Sequence, residues 1–288
     1  MNIKRLILFL SAVLLLMFSG CGPFLERDVY LGGDEDYDNP NNNSNGNSYP
    51  KSSVLGGGGY DGETRFISGI ECVMVNAGTF WMGATDAEDG WSDEYPRHRV
   101  TITKDYWVSK YPVTQKQYRE AMGTNPSDAY YGIGDNYPVN MVSWGEAVAF
   151  CNKVGGRLLT EAEWEFAARG GNKSSGYKIY SGSNDINQVA WYWENSNSTS
   201  HPVGTKSPNE LGIHDMSGNV WEWVNDWYGS YPSGAVTNPT GPETGSYRVL
   251  RGGGWNCGAL ICRVAIRNGN SPSNRHYILG LRVAFNSY

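Results

Sequence analysis

Beyond Gly171 the chain carries almost no run of helical or strand period, and this scarcity bounds the fold more tightly than any single motif does. Every helix start signal falls earlier. Each is a hydroxyl residue followed three positions on by Glu or Gln, a pairing in which two side chains satisfy two orphan amides of a first turn. Thr114 pairs in this way with Gln117, Ser143 with Glu146 and Thr160 with Glu163. The stops are Gly123, Gly155-Gly156 and Gly170-Gly171, which favour the left-handed conformation that ends helices. Strand signals are short. Val73 and Val75 alternate before Asn76-Ala77-Gly78, and Phe80 and Met82 alternate after it, which predicts a hairpin or paired strands. Val100 with Ile102, Val249, Val264 with Ile266, and the C-terminal Leu281, Val283 and Phe285 continue the pattern. The expected class is α+β, with few short antiparallel strands and helices joined by many long loops. Long loops in a compact domain call for a physical reason, and a bound ion supplies one.

The N-terminal end has a different character. Lys4 and Arg5 precede an unbroken apolar run over residues 6–18, followed by Ser19-Gly20-Cys21. Charged, apolar and small-residue regions in that order form a secretory signal over residues 1–20. The run is shorter than the ~20 residues a membrane helix needs. Cysteine directly after a small pair resembles the lipobox of bacterial lipoproteins, which implies a lipid on Cys21 as first mature residue. The expected location is the bacterial cell envelope, anchored to the outer membrane and facing the periplasm or the outside. Residues 21–65 are acidic, then Asn/Ser-rich, then Gly-rich, too poor in apolar side chains to offset the entropy of ordering them, and read as a tether. Residues 66–288 have a globular composition sufficient for one core. A net charge of −6 without a basic cluster argues against nucleic acid as a partner. The expected state is a monomer that meets a peptide or protein substrate or partner.

Six segments then occur in a telling order. They are Met-Val-Asn-Ala-Gly-Thr-Phe-Trp-Met-Gly at 74–83, Pro-Val-Asn-Met-Val-Ser-Trp at 138–144, Arg-Leu-Leu-Thr-Glu-Ala-Glu-Trp-Glu at 157–165, Gly-Asn-Val-Trp-Glu-Trp at 218–223, Arg-Gly-Gly-Gly-Trp at 251–255 and Gly-Leu-Arg-Val at 280–283. Together they resemble the sulfatase-modifying factor family, the formylglycine-generating enzyme domain. The resemblance covers about Cys72 to Phe285 and implies a C-type-lectin-like fold stiffened by calcium. The family hosts oxidases and lipoproteins without known catalysis, so function has to be argued from the site.

In the oxidases, two cysteines hold copper(I) and activate oxygen to convert a sulfatase cysteine to formylglycine. Cys257 and Cys262 have the matching spacing, and thiolates are soft ligands suited to copper(I). The surroundings depart from the oxidase pattern. Gly254 stands where those enzymes carry serine, Gly258-Ala259-Leu260-Ile261 offers no polar side chain between the cysteines, and the loop is about three residues short. The alternative is a non-catalytic binding or scaffolding lipoprotein, similar to the gliding and secretion lipoproteins of the family. With Cys21 acylated, Cys72, Cys151, Cys257 and Cys262 remain, and export leaves Cys257–Cys262 and Cys151–Cys262 disulfides as competing uses of the same sulfurs.

Asp215, Gly218, Val220 and Glu222 match a family calcium loop, in which the first and last give side-chain oxygens and the middle two give carbonyls, the hard donors calcium takes. A second calcium site, expected between about Val189 and His201, lacks the family's residues. His98, His201, His214 and His276 are scattered, which argues against non-haem iron. Glu161, Glu163 and Glu165 open a helix and suit dipole stabilisation or salt bridging. The eleven tryptophans are expected to pack the core and pin loops rather than stack on sugars.

Overall fold

The structure is a computed structural model that describes residues 59–86 and 90–287. The signal segment, Cys21 and most of the tether lie outside the described residues. In chain order the strands are β1 (Thr64–Ile67), β2 (Ile70–Val75), β3 (Gly78–Met82), β4 (His98–Ile102), β5 (Tyr106–Ser109), β6 (Arg157–Leu158), β7 (Trp221–Trp227), β8 (Val236–Thr237), β9 (Arg248–Arg251), β10 (Arg267–Asn270), β11 (Leu279–Leu281) and β12 (Val283–Asn286). The helices are α1 (Gln115–Met122), α2 (Trp144–Lys153), α3 (Glu161–Ala168) and a single turn, α4 (Ile186–Val189).

All three helices expected from start signals form, each closed by its two-way cap. The Thr114 hydroxyl accepts the Gln117 amide at 3.2 Å while Gln117 accepts the Thr114 amide at 2.9 Å. Ser143 with Glu146 and Thr160 with Glu163 repeat the exchange. Gly123 ends α1 at φ 80°, where a side chain would be strained.

The strands form three sheets, ordered β1-β2-β5-β12-β6, β10-β9-β7-β11 and β3-β4-β8. The expected hairpin is absent: β2 pairs with β1 and β5, whereas β3 pairs with β4. The intervening amides are satisfied by distant carboxylates, Asn76 N–H donating to Asp61 and Ala77 N–H to Asp105, both at 2.7 Å, so the chain changes sheet instead of folding back. Val264 and Ile266 form no strand. Both are buried in a loop, and pairing begins only at Arg267. Leu281 and Val283 belong to different sheets, with Arg282 at the junction. Most ladders are antiparallel, but β4 with β8 and β7 with β11 run parallel.

The core holds ion pairs as well as apolar side chains. Arg251, Arg263, Arg267 and Arg282 are fully buried, and each meets a buried glutamate: Glu165, Glu94, Glu161 and Glu222 respectively. Glu163 pairs with Arg157 at 2.6 Å. The acidic first turn of α3 therefore serves salt bridging, as its sequence suggested.

Candidate functional site

The two stretches singled out in the sequence, around Cys257–Cys262 and Asp215–Glu222, lie against each other. Strand β9 runs into Gly252 and Gly253, both at positive φ (95° and 75°). A Cβ on Gly253 would stand 2.6 Å from the Ile261 carbonyl and 2.9 Å from the Cys262 sulfur, so only glycine lets this turn pass beneath residues 259–262. The Gly218 amide donates to Gly252 O at 2.8 Å and the Trp255 amide to Asn219 O at 2.9 Å, fastening the loops together. A third segment closes over them, with Asn219 N–H donating to Trp191 O and Trp193 N–H to Cys257 O.

Both cysteines of the pair are completely buried. Their sulfurs approach one peptide unit: the Gly254 N–H donates to Cys257 Sγ at 3.4 Å, and the Cys262 thiol faces Gly254 O at 4.0 Å. Cys72, Cys151 and Cys262 are free thiols, whereas Cys257 is disulfide-bonded, so neither a Cys257–Cys262 nor a Cys151–Cys262 disulfide forms. Burial, reinforced by the negative charge of Glu194, holds the Cys262 thiol far above its ordinary range. A copper(I) ion at this sulfur would have to displace a proton from a site closed to water.

Asp215 is the counterpart of the opposite kind. It sits at φ 58°, its Oδ2 accepts the Gly204 amide at 2.7 Å, and its Oδ1 is buried without a hydrogen-bond partner among the described residues. Burial, with a contribution from Glu222, raises its carboxyl to about 6. An orphaned, desolvated carboxylate oxygen fits a hard cation. Glu222 does not fit as well. It accepts Trp164 Nε1–H at 2.6 Å and is gripped by Arg282 at 2.8–3.1 Å, which occupies both of its oxygens. Of the two side chains in the expected set, Asp215 and not Glu222 keeps an oxygen without a hydrogen-bond partner among the described residues. Among the described residues no three His, Cys, Asp or Glu side chains converge as a metal cluster, and the four histidines remain apart. In the stretch where a second calcium site was expected, Asn195 spends its amide on Tyr192 N–H and Ala190 O.

One feature beside the cysteine loop has no signature in the sequence. Tyr131 stacks on Tyr277 at 4.0 Å and lies 5.3 Å from Trp255, and the exposed Tyr130 abuts Tyr131 edge-on at 4.9 Å. The Trp255 indole N–H is buried and unpartnered among the described residues. Leu260, within the cysteine loop, and Trp193, whose amide donates to Cys257 O, are 62 % and 45 % exposed. The Tyr130-Tyr131 pair before Gly132 was the available clue, but nothing in the sequence joins it to positions 255 and 277.

The sulfatase-modifying factor enzyme 1-like domain model matches residues 61–287. Among curated proteins, the chain is 33% identical to "Chaperone protein LppX" of Paenibacillus barcinonensis, over 64% of this chain and 78% of that protein. It is also 33% identical to the formylglycine-generating enzyme of Mus musculus, where the match spans 65% of this chain but only 53% of the enzyme. Among solved structures, Treponema denticola variable protein 1 superposes with a TM-score of 0.68 at 29% identity, covering 78% of this chain and 98% of that one. The loop-rich α+β architecture expected from the resemblance is the one found.

Proposed function

Because the chain belongs to the sulfatase-modifying factor enzyme 1-like domain family, we propose that it is a non-catalytic, protein-binding member of it, lipid-anchored through Cys21 at the bacterial envelope and stiffened by calcium. The burial of the Cys262 sulfur carries this reading. An oxidase of this family would need Cys257 and Cys262 as thiolates open to copper(I) and to a substrate thiol, whereas here Cys257 is disulfide-bonded and the Cys262 thiol is buried against Gly253 with its proton held tightly. The apolar stretch Gly258-Ala259-Leu260-Ile261 and the neighbouring aromatic face suit contact with a peptide or protein surface. A relative named as a chaperone supports a protein client.

The readings separate in one experiment. Copper(I) is supplied with a competing chelator, and a Cys-x-Pro-x-Arg peptide is followed by mass spectrometry. The binding reading expects no formylglycine and the same copper uptake in wild type and Cys262→Ser. Formylglycine production, with stoichiometric copper lost in Cys262→Ser, would overturn it.

Calcium makes a separate prediction. The carboxylate of Asp215 would hold the ion with the carbonyls of Gly218 and Val220, and the ion would tie the loop of residues 215–222 to the core. A ligand at a hundredfold excess over its Kd adds about 2.7 kcal/mol to stability. Chelation is therefore expected to lower Tm by about 5–11 °C. Asp215→Asn keeps an acceptor for the Gly204 amide, and in this variant the difference should vanish. An unchanged Tm on chelation of the wild type would remove calcium from the account.

A further inference from the structure

Strands β7, β9 and β10 set Trp227, Arg248 and Asn270 side by side, since the register places Arg248 opposite Trp227 on one side and opposite Asn270 on the other. Directly paired residues point to the same face of a sheet, so the three side chains share it. The guanidinium carbon of Arg248 lies 3.5 Å from the centre of the Trp227 ring and 3.8 Å from that of Trp144, which reaches over from α2. Both are cation–π contacts, and together the rings cover the two faces of the guanidinium. Trp144 is fixed there by its indole N–H, which donates to Val224 O at 2.9 Å. Trp144, Trp227 and Arg248 are each half-buried, so the group meets solvent at its rim.

Unlike the four buried arginines of the core, Arg248 forms no ion pair among the described residues. Its hydrogen bond runs from Nη1 to the backbone carbonyl of Asn225. Nε is buried without a partner and Nη2 has none either among the described residues, so the whole Nε–Nη2 edge is unused. The acid that acts on Arg248 through its charge is Asp226. Burial raises the Asp226 carboxyl to about 8, which leaves it uncharged at pH 7 and the guanidinium uncancelled. A second orphan stands on the neighbouring strand. Asn270 is only 5 % exposed, and its Oδ1 accepts the Ser271 amide at 2.8 Å and Nδ2–H of Asn274 at 3.1 Å. Its own Nδ2 is buried with no acceptor among the described residues. Buried donors left unmet are costly, and two on directly paired residues mark a place where an acceptor is missing.

The two rings decide the shape of that acceptor. With both faces covered, a ligand meets the guanidinium edge-on and in its plane. A planar carboxylate does so with two parallel N–H···O bonds, whereas a tetrahedral sulfate or phosphate would turn oxygens out of the plane against the indoles. We propose that the free edge of Arg248, with Nδ2 of Asn270, is a binding site for a carboxylate held between Trp144 and Trp227. This site is independent of the protein-binding reading above. Titration of the isotope-labelled full chain with acetate at pH 7, followed by NMR at Arg248 Nε–H and the Trp144 indole N–H, tests it. Both resonances should shift saturably, and acetate should bind about tenfold or more tightly than chloride or sulfate. Asn270→Asp keeps an acceptor for the Ser271 amide and puts a carboxylate where Nδ2 stood. It should pair with Arg248 internally, raise Tm and weaken acetate binding by about tenfold or more. Arg248→Lys keeps the charge without the planar fork, and the response at Trp144 should be lost. Absence of a saturable shift, chloride or sulfate binding as tightly as acetate, or wild-type acetate binding by Asn270→Asp would each overturn the proposal.

Discussion

Arg282→Met is expected to destabilise the domain by about 3–5 kcal/mol, the loss typical when one partner of a buried ion pair is removed. Arg282 is the residue between β11 and β12, the point at which the chain leaves one sheet for another. Its guanidinium is completely buried, grips both oxygens of Glu222 and donates to the backbone carbonyls of Ser109 and His214 at 2.7 Å each. One side chain therefore joins β5, β7 and the loop ahead of Asp215. With methionine there, the Glu222 carboxylate keeps only the indole N–H of Trp164 and stays buried as an uncompensated charge. The double variant Glu222→Gln/Arg282→Met removes that charge while leaving an amide oxygen for Trp164. It should recover much of the loss, since replacing both members of a buried pair is far milder than breaking it. Denaturant unfolding of the three proteins checks this. A single variant within about 1 kcal/mol of wild type would mean that the pair does not hold the junction.

The same junction marks the boundary of what the sequence makes legible. Helix starts are local chemistry: Thr114, Ser143 and Thr160 each solve a problem within three residues, and all three were readable. Sheet membership is not local. Val73-Val75 and Phe80-Met82 have the alternation of a hairpin, yet Asp61 and Asp105, fifteen and twenty-eight residues from the amides they accept, draw the turn apart. Leu281, Val283 and Phe285 alternate as one strand would, but Arg282 is drawn to Glu222, sixty residues earlier, and divides them between two sheets. The site shows the same division. Gly252-Gly253 and the Asp215–Glu222 loop were each recognisable, whereas their mutual hydrogen bonds, the sealing of Cys262 and the capture of Glu222 by Arg282 depend on contacts between distant segments. The aromatic face joins positions 130, 131, 255 and 277, which share no period.

Asp226→Asn should raise the stability of the domain above neutral pH and leave it nearly unchanged near pH 4. Asp226 lies in β7, almost fully buried, and its Oδ2 accepts the Glu161 amide at 2.9 Å in the first turn of α3. Burial raises its carboxyl to about 8, the charge of Glu161 adds to the effect, and the Glu161 amide and Arg267 oppose it. An unfolded aspartate titrates near 3.9. The folded protein therefore binds a proton that the unfolded chain has released, throughout the interval from about 4 to about 8. Stability rises with pH only where the unfolded state binds more protons, so this group makes stability fall across that interval and level off above it. Asp215, raised to about 6, acts in the same direction at lower pH, which leaves pH 7–8.5 mainly to Asp226. Asparagine keeps an acceptor for the Glu161 amide and carries no charge at any pH. The gain at pH 8 should be on the order of a few kcal/mol, each 1 kcal/mol worth about 2–4 °C in Tm for a domain of this size. Thermal melts of both proteins from pH 4 to pH 8.5 should diverge steadily as pH rises; parallel curves would show that the carboxyl of Asp226 is ionised in the folded domain at all these values and that the proton is not part of the packing beneath α3.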